Sequence, residues 1–280
     1  MNIGNAIKDA VLELNKNNIR SSKLDSEILM SKATKKDRKS LIINFEKKIS
    51  KCELTYFKNL VQSRSTGKPI AYLIGKKEFW NNEFDVTENV LIPRPDTEII
   101  IEEALKLIKN KKKLSILDIG VGSGCILLSI LNEKKDFKGV GIDLSKNCLH
   151  LSKVNANKLG LKNRVKFYKS DVDNFNNGKY DLIISNPPYI NRHKIRYLDK
   201  DVKNFEPNLA LDGGLDGLSE VRKVINKSSE LIKLNGKLIL EIGFDQKYRV
   251  VKLLTSKGFY INKTLKDYAN NDRCIVSTKI

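Results

Sequence analysis

The sequence predicts an α/β protein: a mostly parallel sheet of seven strands with an antiparallel last strand, preceded by a small all-helical N-terminal domain and a β-hairpin linker. Three observations predict it. From about residue 97 extended and helical patterns alternate nearly to the end of the chain. The first five extended runs are continuously apolar, as in a parallel sheet covered on both faces. The last two runs have no long helix between them, so they pair antiparallel at one side of the sheet.

The elements follow in order. Ile3, Ile7, Ala10, Val11 and Leu14 share one helix face. Ser22 or Asp25 caps a second helix running to about Lys32. A third covers Lys36–Asn44, and Ser50 opens a fourth with Leu54, Phe57, Leu60 and Val61 on one stripe. These stripes read as a bundle packing its own core. Gly67 and Pro69 end it, and Ile70–Gly75 is an apolar bridge. Phe79–Val90 alternates around Asn81-Asn82 as a hairpin does. Leu91–Pro95 is extended, because each proline bars its predecessor from the helical region. A helix runs Asp96–Lys109. Strands are expected at Leu114–Ile119, Gly139–Leu144, Val165–Ser170, Asp181–Ser185, Lys237–Ile242, Phe259–Leu265 and Arg273–Thr278. Helices are expected at Cys125–Leu131, Ser145–Leu159, Leu218–Leu234 and Gln246–Lys257. The division is thus 1–75 helical, 76–95 linker and 96–280 α/β.

Composition bounds the function. With 40% hydrophobic and 30% charged residues the chain can bury a sizeable core. No apolar run approaches the ~18 residues of a membrane span, and the N-terminus lacks the apolar stretch of a signal peptide. Four cysteines without a CxxC pair point to reduced thiols in the cytoplasm, with no disulfide framework and no metal site. The net charge of +19 raises a nucleic-acid partner. Of the basic residues, 42 are Lys and 10 are Arg, a Lys-heavy excess that suits composition bias as well as a phosphate-reading surface. Residues 1–75 hold 15 basic and 7 acidic side chains, the denser positive region, which suits an acidic or nucleic-acid-bearing partner.

The first strand of the α/β region runs into Asp118-Ile119-Gly120-Val121-Gly122-Ser123-Gly124 and then a helix. Glycines there let backbone approach a ligand at the carboxyl end of a central strand, a Rossmann-like placement. The spacing is GxGxG, neither the dinucleotide fingerprint nor a P-loop. Asp143 ends the second strand, 19 residues past Gly124, where it can accept hydrogen bonds from ribose hydroxyls or cap the next helix. Asp171, followed by Val172, ends the third, where it contacts an adenine amino group or merely closes the strand. A nucleoside ligand without pyrophosphate fits this layout, and S-adenosylmethionine is one.

The fourth strand runs into Asn186-Pro187-Pro188-Tyr189. Two prolines cannot continue a central strand and hold their predecessors extended. The result is a stiff spur carrying an amide, backbone carbonyls and an aromatic ring. The residue types suit methyl transfer to a planar amino nitrogen. Such a nitrogen is a poor nucleophile, and no ordinary side chain can deprotonate it beforehand. The Asn186 side-chain oxygen and the Pro187 carbonyl can instead hold its two N–H bonds and stabilise the positive charge that develops. Tyr189 supplies a flat surface. In-line placement contributes up to roughly 7–11 kcal/mol. No metal or covalent nucleophile is needed, and His150 and His193 are incidental. The spur alone does not separate a glutamine amide from adenine N6 or cytosine N4. A base-amino methyltransferase acting on rRNA or DNA is the alternative. A noncatalytic adenosyl-binding or RNA-binding module has no chemical need for an intact spur.

Further residues bear on that choice: Gly67–Gly75 (GKPIAYLIG), Glu78-Phe79-Trp80, Leu91–Glu98 (LIPRPDTE), the glycine loop, Asn186–Ile190, Asn204–Pro207, Leu211–Gly214, Asp216–Leu218, and Asp267-Tyr268 through Asp272-Arg273. In these, about three quarters of the chain resembles the bacterial peptide chain release factor glutamine N5-methyltransferases, the HemK/PrmC family. The Arg-Pro-Asp-Thr-Glu stretch separates that family from most nucleic-acid amino methyltransferases, which share only the spur. The resemblance implies a Rossmann-like class I methyltransferase domain. It implies transfer from S-adenosyl-L-methionine, leaving S-adenosyl-L-homocysteine, to the glutamine of the Gly-Gly-Gln motif in release factors. It further implies that Gly120 to Gly124, Asp143 and Asn186 contact the cofactor, that Asn186 to Tyr189 contact the glutamine, and that the N-terminal bundle helps hold the protein partner. The residue after Asp171 is aromatic in some members; here Val172 leaves an apolar contact. A monomer with no obligatory nucleic acid and no membrane association is expected.

Overall fold

The computed structural model describes all residues, 1–280. They form two units, Met1–Lys76 with Asp199–Phe205, and Lys77–Leu198 with Glu206–Ile280.

The first unit is built on α1 (Ile3–Lys16), α2 (Ser22–Thr34), α3 (Arg38–Ile43), α4 (Lys51–Ser65) and α5 (Ile70–Ile74). Ile3, Ile7, Leu14, Leu29, Met30, Leu41, Phe57 and Leu60 make its core. Ser50 and Glu53 form a reciprocal capping box on α4. Two expectations need correction. Neither Ser22 nor Asp25 caps α2, which extends to Thr34. Asp25 is turned inward, where it accepts from Arg64 Nε at 2.7 Å and from Ser21 Oγ at 2.8 Å. The apolar bridge is the short helix α5, closed by Gly75 in the left-handed region.

A hairpin follows, β1 (Lys76–Phe79) and β2 (Asn82–Asp85). Its two turn residues are Trp80 and Asn81, both with positive φ, one position earlier than the pattern suggested. It stops at Asp85, short of the expected Val90. The reason is tertiary: the partner strand begins only at Lys76, after α5, and the Asn155 side chain, from a later helix, takes both the N–H and the C=O of Asp85, at 2.8 and 3.1 Å. A 3₁₀ turn, Pro95–Thr97, then leads into α6 (Glu98–Leu107).

The remaining elements are β3 (Ser115–Ile119), α7 (Cys125–Glu133), β4 (Lys138–Asp143), α8 (Lys146–Lys158), β5 (Val165–Lys169), β6 (Tyr180–Ser185), α9 (Lys200–Phe205), α10 (Ser219–Leu231), β7 (Ile232–Glu241), α11 (Lys247–Ser256), β8 (Phe259–Lys266) and β9 (Asp272–Lys279). The strand order is β5-β4-β3-β6-β7-β9-β8. All strands run parallel except β9, which is antiparallel to β7 and β8. One face buries Ile116, Leu127, Ile130 and Ile100 under α6 and α7, and the other buries Leu117, Ile183, Val224 and Leu254 under α10 and α11. The α10 helix ends at Leu231 instead of Leu234, and β7 begins at once. Asn235, at φ +61, sits in a bulge where the pairing jumps from Tyr180↔Ile232 to Leu182↔Lys237.

Strand order reverses at β3. The chain steps outward through β4 and β5, then returns to lay β6 on the other side of β3. Ligands bind outside the strand ends at such a point. The register brings Ile142, Ile119 and Ser185 level there, with Leu240 beside Ser185. The glycine loop, Asp143, the Asn-Pro-Pro-Tyr spur and Glu241 therefore leave the sheet together.

Candidate active site

A cavity of about 470 Å³ opens at these strand ends. Gly120, Val121, Gly122, Ser123, Asp143, Asp171, Val172, Asn186, Pro187 and Pro188 line it, so most of the residues singled out in the sequence meet at one place. Gly124 and Tyr189 do not line it. Gly124 instead begins α7 at φ +84, and Tyr189 packs behind the spur. His150 and His193 lie elsewhere, and no group of three or more His, Cys, Asp or Glu side chains could hold a metal ion.

The glycine-loop end is braced by short-range bonds. Gly120 and Gly122 take positive φ, which carries the chain over the end of β3. Gly120 N and Val121 N both donate to Ile142 O at 2.9 Å. Ser152 Oγ donates to Gly122 O at 2.8 Å, and Asn155 Nδ2 to Ser123 O at 2.9 Å. Asp143 accepts Gly122 N on Oδ2 at 2.9 Å and Ser145 N on Oδ1 at 2.8 Å. Ser145, not Asp143, caps α8. Burial raises the Asp143 pKa, against the lowering effect of these N–H donors. Each carboxylate oxygen can accept a further bond, so Asp143 can meet a vicinal diol. Asp171 accepts its own turn's Asp173 N at 3.3 Å.

The spur end is held differently. Ile190 N donates to Leu211 O at 3.1 Å and Gly213 N to Ile190 O at 2.8 Å, a short parallel bridge to the 211–217 loop. Gly213 admits no side chain: a Cβ there would lie 2.8 Å from Gly217 O and 2.9 Å from Pro188 O. Gln246 Nε2 donates to Tyr189 O at 3.0 Å and Gly217 O at 2.9 Å. Behind the prolines runs a chain of side chains. Asn186 Nδ2 donates to Thr97 Oγ1 at 3.2 Å, and Thr97 Oγ1 donates to Glu241 Oε2 at 2.8 Å. Tyr189 OH donates to Glu241 Oε1 at 3.2 Å and accepts from Arg273 Nη1 at 3.2 Å. Arg273 is held in turn by Asp267 at 2.9 Å. Glu241 is 2% exposed, and burial pushes its carboxyl up to about 7. Burial also raises the Tyr189 hydroxyl, keeping it protonated.

Asn186 lines the cavity, and with Nδ2 bonded to Thr97 its Oδ1 is the end left to accept there. An acceptor fixed there, on a proline-stiffened backbone, can orient an amino group without removing its proton.

Several of these residues were missed as site residues. Thr97 and Arg273 entered only through family-like stretches, while Glu241, Ser152, Asn155 and Gln246 were not singled out. A signal existed for Glu241, an acid ending the continuous apolar run Leu238-Ile239-Leu240. Buried charge of that kind is uncommon and marks a site.

Comparisons with known proteins agree with this architecture. The model of the PrmC N-terminal domain matches residues 5–75, and that of the methyltransferase small domain matches residues 97–205. A release factor glutamine methyltransferase of Buchnera aphidicola subsp. Acyrthosiphon pisum is 37% identical over 279 residues, covering 100% of this chain and 99% of that protein. One from Clostridium acetobutylicum is 38% identical over 280 residues, covering 98% of each. Among solved structures, a methyltransferase from Pyrococcus furiosus superposes with a TM-score of 0.51 at 16% identity, covering 70% of this chain and 88% of that one. The ribosomal protein L11 methylase of Lactobacillus delbrueckii subsp. bulgaricus gives 0.50 at 16% identity, covering 67% and 81%. At that identity these two speak to the fold. No helix is long and apolar enough to cross a membrane.

Proposed function

This chain belongs to the release factor glutamine methyltransferase family, and from that premise we propose that it methylates the side-chain N5 of the glutamine in the Gly-Gly-Gln motif of peptide chain release factors, using S-adenosyl-L-methionine and releasing S-adenosyl-L-homocysteine. The orientation of Asn186 carries the reading: its Nδ2 is bonded to Thr97, so its oxygen is the end offered to an incoming N–H.

The cavity fits the cofactor. Asp143 has acceptor capacity for ribose hydroxyls, Asp171 can accept from the adenine amino group, and Val172 offers an apolar contact to the base. Gly120 to Ser123 let backbone close on the methionine part, and Gly124 turns the loop into α7. When bound, the cofactor supplies an electrophilic sulfonium methyl. Asn186 Oδ1 and the Pro187 carbonyl accept the two amide N–H bonds, aim the nitrogen and stabilise the charge that develops on it; each such contact is worth roughly 10²–10³ in rate. Pro188 keeps the carbonyl before it extended. Tyr189 backs the spur from behind through its hydroxyl. The helical N-terminal unit, with its excess of basic side chains, helps hold the protein substrate. The free thiols of Cys52, Cys125, Cys148 and Cys274 support a cytoplasmic setting.

Incubation with methyl-labelled cofactor, a release factor and total RNA tests the reading. The label is expected on the release factor, with mass spectrometry placing it on the Gly-Gly-Gln glutamine. Label in RNA alone would favour an amino-base acceptor instead.

A further inference from the structure

We propose that Glu241, acting through the Thr97 hydroxyl, is a positioning residue that decides which end of the Asn186 amide faces the cavity. The proposal rests on the methyl-transfer reading above and assigns to that site a determinant lying behind it.

The available hydrogens fix the orientation. An ionised carboxylate only accepts, and a threonine hydroxyl has one hydrogen to give. Glu241 Oε2 takes that hydrogen at 2.8 Å. Thr97 Oγ1 can then only accept from its other neighbour, and that neighbour is the Asn186 amide at 3.2 Å. The reverse orientation would set Asn186 Oδ1 against Thr97 Oγ1 with no hydrogen between them, both acceptors held in a site where the Thr97 side chain is buried. The second oxygen of Glu241 is committed as well. Arg273 Nη1 donates to Tyr189 OH, so the Tyr189 hydrogen turns to Glu241 Oε1. The polarity of the whole chain, from Asp267 through Arg273, Tyr189, Glu241 and Thr97, ends on Asn186 and allows it one orientation. An asparagine without this constraint would present its NH₂ as readily as its oxygen, and a donor facing the amide N–H bonds cannot hold them.

Register places these groups. Glu241 is the last residue of β7, paired with Cys274 of β9, and Arg273 precedes Cys274. Thr97 ends the 3₁₀ turn before α6, with Asp96 beside it, and Asn186 and Tyr189 follow β6. Three other segments thus meet around the one carboxylate that ends β7.

Isosteric variants of the full-length protein test this. Glu241→Gln presents an NH₂ to Thr97, frees the Thr97 hydrogen for Asn186 and lets the amide turn round. It should lower kcat at least 30-fold while KM for the release factor and Kd for the cofactor stay within threefold. Thr97→Val should do the same, and Thr97→Ser, which keeps the hydroxyl, should recover activity to within threefold of wild type. The double variant Glu241→Gln/Thr97→Val should lose no more than the worse single, because both break one chain. Three results would overturn the proposal: kcat within threefold of wild type in Glu241→Gln, Thr97→Ser as poor as Thr97→Val, or a double variant losing the product of the two singles. Calorimetric cofactor binding shows that each variant is folded at the site. The wild-type acceptor tests the functional reading separately. Were that acceptor a base amino group, the same variant-to-wild-type ratios would still decide the Glu241 role, since any planar NH₂ nitrogen brings one N–H bond to Asn186 Oδ1 and the other to the Pro187 carbonyl.

Discussion

At the glycine-loop end of the cavity, Ile142 O, Ser152 and Asn155 hold backbone groups of the loop through bonds of 2.8–2.9 Å, and Asp143 is the one charge involved. At the spur end, Asn186 depends on a relay of side chains through a buried carboxylate and a guanidinium. The first arrangement fixes a position, which a ligand's shape and hydroxyls can use. The second fixes a polarity, which a reacting nitrogen needs. Damage at the two ends should therefore appear in different kinetic constants.

The largest expected effect sharpens that contrast. Asn186→Ala should lower kcat by about 10²- to 10³-fold, since it removes one acceptor and leaves Thr97 without its donor. Cofactor affinity should stay within about tenfold, ~1.4 kcal/mol. A variant with kcat within tenfold of wild type would show that the amide does not hold the acceptor. Gly213→Ala comes next. Its Cβ must displace the backbone of the spur or of Gly217, and a shift of about 1 Å in a positioning element costs on the order of 10²-fold in rate. Steady-state assays should find that loss in kcat, with calorimetry finding unchanged cofactor binding. Asp143→Ala should do the converse. It releases Gly122 N and Ser145 N and removes the ribose acceptor, so cofactor Kd should rise about 10- to 100-fold, with kcat at saturation within a few-fold. If Asp143→Ala cut kcat and spared Kd, the division between the two ends would fail.

The sequence made one end far more readable than the other. The glycine spacing, the acid 19 residues on and the paired prolines are local signals, each confined to a few consecutive residues, and the alternation of apolar runs located the sheet that carries them. Even β9, the antiparallel strand, was legible, because no helix long enough for a crossover precedes it. The relay was not. Thr97, Asn186, Glu241 and Arg273 lie 89, 55 and 32 residues apart in turn, and only the strand order, with β6 between β3 and β7 and β9 beyond it, brings them together. Local boundaries failed where tertiary contacts overrode local pattern. Asp25 looked like a cap and is an ion-pair partner of Arg64. The hairpin looked longer because nothing in its own sequence shows that Asn155 terminates it.

The smallest effect separates stability from activity on a single residue. In the folded chain burial pushes Glu241 up to about 7, from an ordinary 4.5. Between those values the folded protein keeps a proton that the unfolded chain releases. The contribution of this group to stability is thus present at low pH and lost as pH rises through about 7. Glu241→Gln carries no such term. By urea unfolding it should match wild type near pH 4 and exceed it above pH 7, with an upper bound on the order of 3 kcal/mol from the size of the shift. Activity should move the other way, because the relay requires the carboxylate. Wild-type kcat should fall as pH drops through about 7, and that limb should vanish from the low residual rate of Glu241→Gln. Tyr189 stays protonated and Arg273 charged across this range, since burial raises the first and neighbouring Glu241 and Asp267 favour the charged form of the second, although burial opposes it. Asp143, the cavity-lining carboxyl raised by burial, would register in the cofactor KM rather than in kcat, and Asp118, pushed up to about 8 by burial within β3, lies off the cavity and would register in stability alone. An acid limb in kcat that persists in Glu241→Gln would assign the titration elsewhere and leave the spur's polarity independent of this carboxylate.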